Sequence, residues 1–387
     1  MSSSERRIAF VCPNFYPRTC GVGDFSARLA AVLRRRGDRV TMFSRAPVAA
    51  HPEAPELPVT ASYAKLPLLI AHDLAAAILA GRPTDVVVQY TPQMWDAARF
   101  GSPAVPWLAR RMRRAGIRVV VIAHELHLPW ESRPDLFLAA VTQRVQMAAM
   151  LRNSDRLLVT TDTRAALVEP LARLTGAPRP SVIRVGASAL PANGTGDHPR
   201  PPGTGRIGVF NTAAMGKRFD VVLDAFAQIA AALPSAELVL LGDLGPPDHP
   251  LVRQVADTVA RHPARDRIRL AGKQPLPEIT DEIAGLDVYL VPSNTGANTR
   301  SSTLPTALGS GVPVVAIDGR ETDRALFRDG ENVVFARGLD GAAFAEACLS
   351  VLRDRALAAR VAEGGRHLYQ QHLAWDRVAD QLVAELS

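Results

Sequence analysis

Short apolar runs alternate with stretches of helical periodicity along the whole chain. Apolar runs bounded by turn residues are typical of buried parallel strands. They predict strands at residues 7–12, 40–43, 85–89, 117–123, 156–160, 181–185, 207–211, 237–241, 267–271, 287–291, 312–317 and 332–336. Apolar residues spaced by three and four predict helices at residues 25–36, 102–114, 135–152, 164–174, 220–233, 250–261, 277–284 and 299–310, and further helices towards the C terminus. The proline-rich residues 51–68 are expected to be irregular. The alternation predicts an α/β fold with two doubly wound parallel sheets.

The periodic pattern stops at residues 191–205, PANGTGDHPRPPGTG, whose proline, glycine and polar content is typical of a linker. A chain of 387 residues is also too long for one ordinary hydrophobic core. We therefore expect a Rossmann-like N-terminal domain at residues 1–190 and a Rossmann-like C-terminal domain at residues 206–370. Residues 371–387 are a predicted C-terminal helix, and its return to the N-terminal domain is one option.

The charge pattern narrows the classes of ligand. The formal net charge is +7, and lysine occurs only at Lys65, Lys217 and Lys273, so most basic residues are arginine. A mild basic excess suits a polyanionic substrate such as a nucleotide diphosphate. The arginines are scattered and are not interleaved with aromatic residues, so no nucleic acid is expected as a partner. Oligomeric state does not follow from the sequence.

Membrane, metal and disulfide signals are absent from the sequence. No apolar run of about 18 residues occurs and no signal-peptide core precedes the first strand, so we expect a cytoplasmic protein. No basic amphipathic helix indicates stable membrane association. The three cysteines have no metal-ligand spacing, and their odd number fits a reducing compartment.

Polar residues follow three predicted strands in the N-terminal half. Ligands of open parallel sheets bind beyond the carboxyl ends of the strands. The first strand is followed by Gly21, Gly23 and Asp24, the strand at 85–89 by Tyr90, and the strand at 117–123 by His124, Glu125 and His127. These residues are candidate ligand contacts. The alternative for the glycines is a tight turn of small residues, and the alternative for the histidines is a structural or capping role.

The stretch at residues 287–319 reads as strand, loop, helix and strand. Arg300, Ser301, Ser302 and Thr303 fall in the first turn of the predicted helix. The unpaired N–H groups and the positive dipole end of a helix N-terminus attract anions, and hydroxyls and a guanidinium there suit a phosphate. The alternative is an ordinary N-cap cluster, because serine and threonine often cap helices.

The order of several motifs resembles glycosyltransferase family 4. The segments IGVFNTAAMGKRFDVVLDAFAQI, ELVLLGD, IRLAGKQP, DVYLVPS, ALGSGVPVVAIDG and FRDGEN follow that family's donor domain. In the first half, CGVGDFSARLAAVLRRRGDRV and VVVIAHEL are similar to its glycine loop and to its histidine after a buried strand. The resemblance implies the GT-B architecture, in which two Rossmann-like domains face each other across a cleft. It also implies a retaining glycosyltransferase that uses a nucleotide-diphosphate sugar.

The resemblance also implies roles for individual residues. His124, which matches the histidine that touches the transferred sugar, and Lys217, which matches the lysine that neutralises the diphosphate, are the expected catalytic residues. The expected donor-binding residues are Gly23, Asn211, Lys217, Arg218, Gly272, Lys273, Asn298, Arg300, Ser301, Ser302, Thr303 and Thr306. The residues expected to bind the acceptor are Gly21, Asp24, Tyr90, Glu125 and His127.

The sequence departs from the family pattern at two positions. The family places two glutamates eight residues apart before the Gly-Val-Pro turn, and this chain has Asn298 and Thr306 there. It also lacks the arginine that the family has near Asn211. The departure leaves open which sugar is bound and how.

The resulting expectation is a metal-independent hexosyltransferase without a cofactor. Its donor is a nucleotide-diphosphate sugar, with a UDP-sugar favoured, and its acceptor is a hydroxyl of a small molecule. The arginine- and alanine-rich composition favours a natural-product, aminoglycoside-like acceptor and hence antibiotic biosynthesis. The alternatives are a non-catalytic sugar-nucleotide-binding protein of the same fold, and an epimerase or phosphorylase with a similar two-domain frame.

Overall fold

The computed structural model describes residues 6–18, 20–45, 47–61, 67–95, 100–130, 132–190, 205–211 and 216–386. Most of the predicted linker, residues 191–204, lies outside the described residues, and so do residues 212–215. The chain divides into two compact units. The first contains Met1–Arg184 and Trp375–Ser387, and the second contains Val185–Ala374. The change of unit after Arg184 lies six residues before the end of the predicted N-terminal domain.

The first unit is built on a parallel sheet of seven strands in the order β3-β2-β1-β4-β5-β6-β7. The strands are β1 (Arg7–Val11), β2 (Arg39–Ser44), β3 (Val59–Ala61), β4 (Asp85–Tyr90), β5 (Arg118–Ala123), β6 (Arg156–Val159) and β7 (Ser181–Val182). Its helices are α1 (Gly21–Arg35), α2 (Pro67–Ala80), α3 (Pro92–Trp95), α4 (Ala104–Arg114), α5 (Pro134–Asn153), α6 (Asp162–Thr175) and, at the C terminus, α13 (Trp375–Glu385). Periodicity missed the short strand β3 within residues 51–68 and helices α2 and α3.

The second unit is built on a parallel sheet of six strands in the order β10-β9-β8-β11-β12-β13. The strands are β8 (Arg206–Phe210), β9 (Glu237–Leu241), β10 (Ile268–Gly272), β11 (Val288–Val291), β12 (Val314–Ile317) and β13 (Val334–Ala336). Its helices are α7 (Phe219–Ala232), α8 (Pro250–Ala260), α9 (Leu276–Ala284), α10 (Thr303–Gly309), α11 (Gly341–Arg353) and α12 (Arg355–Leu368). The expectation of an α/β fold with two doubly wound parallel sheets is confirmed.

The strands of the second unit are apolar on both faces because helices cover both faces of the sheet. Successive side chains of a strand point to opposite faces. In β9, Leu238 and Leu240 pack in one core cluster with α7 and α11, while Val239 and Leu241 pack in the cluster on the other face. The continuous apolar runs read from the sequence therefore reflect two cores in contact with one sheet.

The C-terminal helix α13 packs on α1 within the first unit. The Arg36 guanidinium donates to Asp380 Oδ1 at 2.7 Å, and the ring of Trp375 lies 5.5 Å from that of Phe25. At the end of the helix, Arg156 pairs with Glu385 at 3.0 Å. One helix that is remote in sequence thus closes the first unit.

Candidate functional site

Three loops of the first unit lie side by side because β1, β4 and β5 are neighbours in the sheet and are parallel. The carboxyl ends of these strands carry the glycine loop, Tyr90 and the His124 segment. Strand order therefore gathers most of the residues expected to bind the acceptor at one edge. Their individual surroundings differ.

The two glycines at the start of α1 have different surroundings. A Cβ atom at Gly23 would lie 2.7 Å from the backbone oxygen of Asn14 and 3.4 Å from Phe15 Cα. A Cβ atom at Gly21 would meet no heavy atom within 4 Å. Gly23 is therefore explained by close backbone packing, whereas Gly21 is exposed and leaves open space in front of the helix.

Asp24 is held by His51, which the sequence did not single out. His51 Nε2 lies 3.1 Å from Asp24 Oδ1, and His51 Nδ1 accepts a hydrogen bond from the backbone N–H of Glu53 at 3.2 Å. Because Nδ1 is an acceptor, the imidazole is neutral and Nε2–H donates to the carboxylate. The ring of His51 is buried next to Phe15, and the Asp24 carboxylate is partly exposed.

His124 lies against two buried side chains. Its Nε2 is 2.7 Å from Oε1 of Gln89, a fully buried residue of β4, and its ring meets Phe25 edge-on with a centroid distance of 4.9 Å. The pKa of His124 is lowered to about 4, mainly by burial, while the Glu125 charge opposes the shift and the Arg164 charge adds to it. The imidazole is therefore neutral at pH 7. With Nε2–H donating to Gln89, Nδ1 is left as a hydrogen-bond acceptor.

Arg164 fixes the segment that carries His124 and was also missed by sequence reasoning. This α6 residue donates to the backbone oxygen of His124 and to Glu125 Oε2, the latter at 3.0 Å. Its own backbone N–H is capped by Thr161 at 3.2 Å. Glu125 thus lies at the expected carboxyl edge of the sheet, but the Arg164 guanidinium pairs with its carboxylate. Because Arg164 and Glu125 are 39 residues apart, no local sequence pattern predicts this pair.

Two residues expected to bind the acceptor have other surroundings. Tyr90 is fully buried, which gives no support to its expected contact with an acceptor. Nδ1 of His127 donates to the backbone oxygen of Leu128 at 3.1 Å, and burial lowers the pKa of His127. His127 is half-buried at the edge of the site and retains one ring nitrogen for a ligand.

In the second unit, Lys217 belongs to the loop that follows β8 and lies against the loop that follows β11. It forms an isolated antiparallel bridge with Ser293, and the next residue, Arg218, donates its backbone N–H to Pro292 O at 2.7 Å. Burial lowers the pKa of Lys217, and the neighbouring Arg300 charge lowers it further. Within the described residues, no side chain pairs with the ammonium group. Two cations are thus close together and one of them has no counter-charge.

Arg300 is held by a second loop. Its Nη1 lies 3.1 Å from Glu321 Oε2, and the Glu321 backbone N–H donates to Thr295 O at 2.9 Å. The Asp323 N–H donates to Ala297 O at 3.0 Å, so the loops after β11 and β12 are joined by backbone hydrogen bonds. Glu321, which sequence reasoning missed, orients the guanidinium beside Lys217.

The predicted helix at residues 299–310 is shorter in the structure. α10 begins at Thr303 and has only seven residues, so Arg300 and Ser301 precede it in a turn. Ser301 Oγ and Thr303 Oγ1 are 3.2 Å apart and bond to each other. The phosphate role of this turn stays a prediction.

Ser302 and Thr306 bind the chain segment that precedes the predicted linker. Ser188 Oγ donates to Ser302 Oγ, and the Ser188 N–H donates to Thr306 Oγ1 at 2.9 Å. Thr306 Oγ1 also donates to Ser302 O at 2.7 Å, and Thr306 is fully buried. Both residues therefore have a structural role in this unit, and the expectation that they bind the donor stays a prediction.

Asn298 and Arg218 also have internal partners. Asn298 is buried, its amide donates to Gly296 O at 3.1 Å, and its Oδ1 accepts the Arg300 N–H at 3.2 Å. Arg218 lies against Asp220, with Nη2 2.7 Å from Oδ2. The first residue shapes the loop that carries Arg300, and the second is a neutralised cation at the start of α7. Neither position supports the expected donor contact.

The remaining expected donor residues lie at the carboxyl ends of two other strands. Asn211 follows β8 and is half-buried, with its N–H 3.4 Å from Leu241 O. Gly272 ends β10 with φ +69°, a left-handed conformation that favours glycine, and a Cβ atom there would meet no heavy atom within 4 Å. Lys273 is exposed. Backbone groups at 272–273 are therefore accessible, and β10 is separated from β8 by β9.

Three further features of the described residues concern thiols, metal ligands and membrane-spanning helices. Cys12, Cys20 and Cys348 are free thiols. No group of three or more histidine, cysteine, aspartate or glutamate side chains within the described ranges could hold a metal ion. No helix in that part of the chain is long and apolar enough to cross a membrane.

The packing at Gly23 predicts unequal effects of two alanine substitutions. Gly23→Ala should destabilise the protein by about 1–3 kcal/mol, because its methyl group meets backbone atoms that cannot rotate away. Gly21→Ala is the matched control and should change stability by less than about 0.5 kcal/mol. Urea unfolding followed by circular dichroism measures both. Equal effects would contradict the packing explanation of Gly23.

The pair beside His124 predicts opposite shifts of one pKa. Arg164→Met removes a positive neighbour and should raise the pKa of His124, whereas Glu125→Gln removes a negative neighbour and should lower it. The folded-state pKa lies below the unfolded value of about 6.5, so neutral His124 stabilises the fold above that pH and this stability is lost as the pH falls towards 4. NMR titration of the ring, assigned with His124→Asn, measures the shifts. Shifts in the same direction would contradict the arrangement.

Comparison with known proteins agrees with this architecture. Residues 204–354 match a family model described as glycosyl transferases group 1. A phosphatidyl-myo-inositol mannosyltransferase of Mycobacterium leprae is 25% identical over 393 residues, which cover 97% of this chain and 95% of the relative. A mannosyltransferase of the same name from Mycobacterium tuberculosis is 26% identical over 397 residues, with the same coverage.

Two solved structures share the fold over nearly their full lengths. HepE of Anabaena, in complex with UDP, has a TM-score of 0.75 at 17% identity, and the match covers 98% of this chain and 99% of HepE. Sucrose-phosphate synthase of Thermosynechococcus elongatus has a TM-score of 0.73 at 18% identity, with 98% of each chain covered. These solved structures show that the chain has the GT-B fold, and the family match supports, for residues 204–354, the resemblance read from the sequence.

Proposed function

We propose that this protein is a glycosyltransferase, which moves a sugar from a nucleotide-diphosphate sugar to a hydroxyl of a small-molecule acceptor with retention of anomeric configuration. The observation that carries the proposal is Lys217, a half-buried residue beside Arg300 whose ammonium group has no counter-charge among the described residues. An unpaired charge in such a place costs several kcal/mol unless an anion compensates it, as an order of magnitude. A diphosphate supplies the missing negative charge.

Lys217 and Arg300 have distinct roles in the proposed reaction. The bond from the anomeric carbon to a diphosphate oxygen breaks, and negative charge grows on the leaving group. Lys217 meets this charge directly, while Arg300, oriented by Glu321, adds a second fixed positive charge. Preorganised cations of this kind stabilise developing charge without rearrangement during the reaction, and loss of one costs about a hundredfold in rate. With these cations in place, the proposed reaction uses no metal ion or other cofactor.

His124 contributes through its side chain. The resemblance left open whether its carbonyl or its imidazole touches the transferred sugar. Its carbonyl already accepts a hydrogen bond from Arg164, whereas Nδ1 of the neutral imidazole is an acceptor without a partner among the described residues. A sugar hydroxyl donating to Nδ1 fits this arrangement. A neutral ring also avoids placing a positive charge next to the anomeric carbon, where positive charge develops.

A UDP-sugar is the favoured donor, and two classes of acceptor are candidates. HepE, which shares the fold, has been solved with UDP and with UDP-glucose. Backbone groups at Gly272 and Lys273 are accessible for the base. The mycobacterial relatives are named for phosphatidyl-myo-inositol, so polyols join aminoglycoside-like natural products as acceptor candidates. The proposed setting is cytoplasmic, without stable membrane association and without nucleic acid as a partner.

Removal of the Lys217 ammonium group tests the donor site. UDP or a UDP-sugar should raise the melting temperature of the wild type, and Lys217→Ala should abolish most of that shift because the diphosphate loses its closest cation. Thermal-shift assays with a panel of UDP- and GDP-sugars measure this. Arg253→Ala, which removes an exposed cation from α8 of the same unit, is the control and should keep the shift.

Turnover of the same panel, followed by mass spectrometry with polyol and aminoglycoside acceptors, identifies the substrates. The anomeric configuration of the product, read by NMR, tests retention. A wild type that no nucleotide stabilises would refute the donor assignment.

A further inference from the structure

A half-buried guanidinium lies at the carboxyl edge of the first unit and has no role so far. Arg45 follows β2, and its Nη2 donates to Asn14 Oδ1 at 2.9 Å and to Met94 O at 3.0 Å. Asn14 belongs to the loop after β1, and Met94 to helix α3 after β4. These two bonds hold the guanidinium over the ends of three neighbouring strands, where ligands of such sheets bind.

Arg45 differs from other arginines of low exposure in this unit. Arg28, Arg164 and Arg184 have side-chain exposures of 12%, 9% and 11%, and each pairs with a carboxylate. Arg144 lies over the ring of Trp130, with its guanidinium carbon 3.7 Å from the centroid. Arg45 contacts only neutral oxygens, and no carboxylate within the described residues pairs with it.

The bonding of the guanidinium is incomplete. Nε of Arg45 is buried and has no hydrogen-bond partner in the part of the chain that the structure describes. Nη2 is already used by Asn14 and Met94 and Nε is buried, so Nη1 is the group left to donate a charge-assisted hydrogen bond to a phosphate oxygen. A phosphate at this edge would supply the charge that the protein does not.

We propose that Arg45 binds a phosphate group of a substrate at the carboxyl edge of the first unit. The inference rests on the proposed function and deepens it, because it assigns an anionic group to the molecule bound at this edge. The phosphate comes either from the acceptor itself or from the diphosphate of the donor. A purely cationic acceptor of the aminoglycoside type is not suited to this edge.

The test measures phosphate binding in protein that lacks the Lys217 charge. Calorimetry with inorganic phosphate at pH 7 and low salt compares Lys217→Gln with the double variant Arg45→Gln/Lys217→Gln. The double variant should bind at least about tenfold more weakly, because a charge-assisted contact is lost. Arg133→Gln/Lys217→Gln removes an equal charge from an exposed site and should bind like Lys217→Gln.

Two results would overturn the inference. One is equal phosphate affinity of the Arg45 and Arg133 double variants, and the other is no phosphate binding by Lys217→Gln. Circular dichroism checks that each variant is folded. If Arg45→Gln unfolds, Arg45→Met, which keeps most of the aliphatic stem, takes its place in the same comparison.

A second measurement distinguishes the source of the phosphate. With Lys217 intact, UDP affinity is compared between wild type and Arg45→Gln. Unchanged UDP affinity with lost phosphate binding assigns the group to the acceptor, and weakened UDP affinity assigns it to the donor. Failure of the wild type to bind UDP would refute the proposed function, whereas normal UDP binding with unchanged phosphate binding in the Arg45 variant would refute only this inference.

Discussion

The chemistry of the second unit depends on the repulsion between two fixed cations. Lys217 and Arg300 come from loops after two adjacent strands, and burial makes their proximity costly. Glu321 offsets part of the Arg300 charge and leaves Lys217 uncompensated among the described residues. Hydrogen bonds between the loops after β11 and β12 hold the Arg300 side of this arrangement. In the proposed function, the diphosphate of the donor supplies the missing negative charge.

In the first unit, the surroundings of His124 keep its imidazole neutral and fix its orientation. Gln89 and Phe25 enclose the His124 ring, and Arg164 holds its backbone. Phe25 in turn contacts Trp375 at the start of the C-terminal helix. The orientation of the imidazole therefore depends on residues separated by most of the chain length. The two units share a sheet topology but use their carboxyl edges for different charges.

The absence of the family's two glutamates has a structural counterpart. Thr306 is buried and binds the backbone of Ser188, and Asn298 shapes the loop that presents Arg300. Both positions serve the protein's internal structure, so the proposed donor site draws on other groups for the sugar and the ribose. Accessible backbone at Gly272 and the Nδ1 atom of His124 are available for that purpose.

The sequence by itself determined the two α/β units, most strands and the identity of Lys217, His124 and Arg300 as the groups of interest. Apolar periodicity and strand-end position are local properties, and a core with helices on both faces of each sheet leaves a clear apolar signal. Strand β3 and helix α2 were not predicted from the sequence, because proline-rich or uniformly apolar segments show no alternation of apolar and polar residues. Only the tertiary structure decided that Gln89, Arg164, His51 and Glu321 support the site, and that Ser302, Thr306 and Arg218 are occupied internally. Charge pairing and hydrogen bonding depend on distances between residues remote in sequence, and no local pattern encodes those distances.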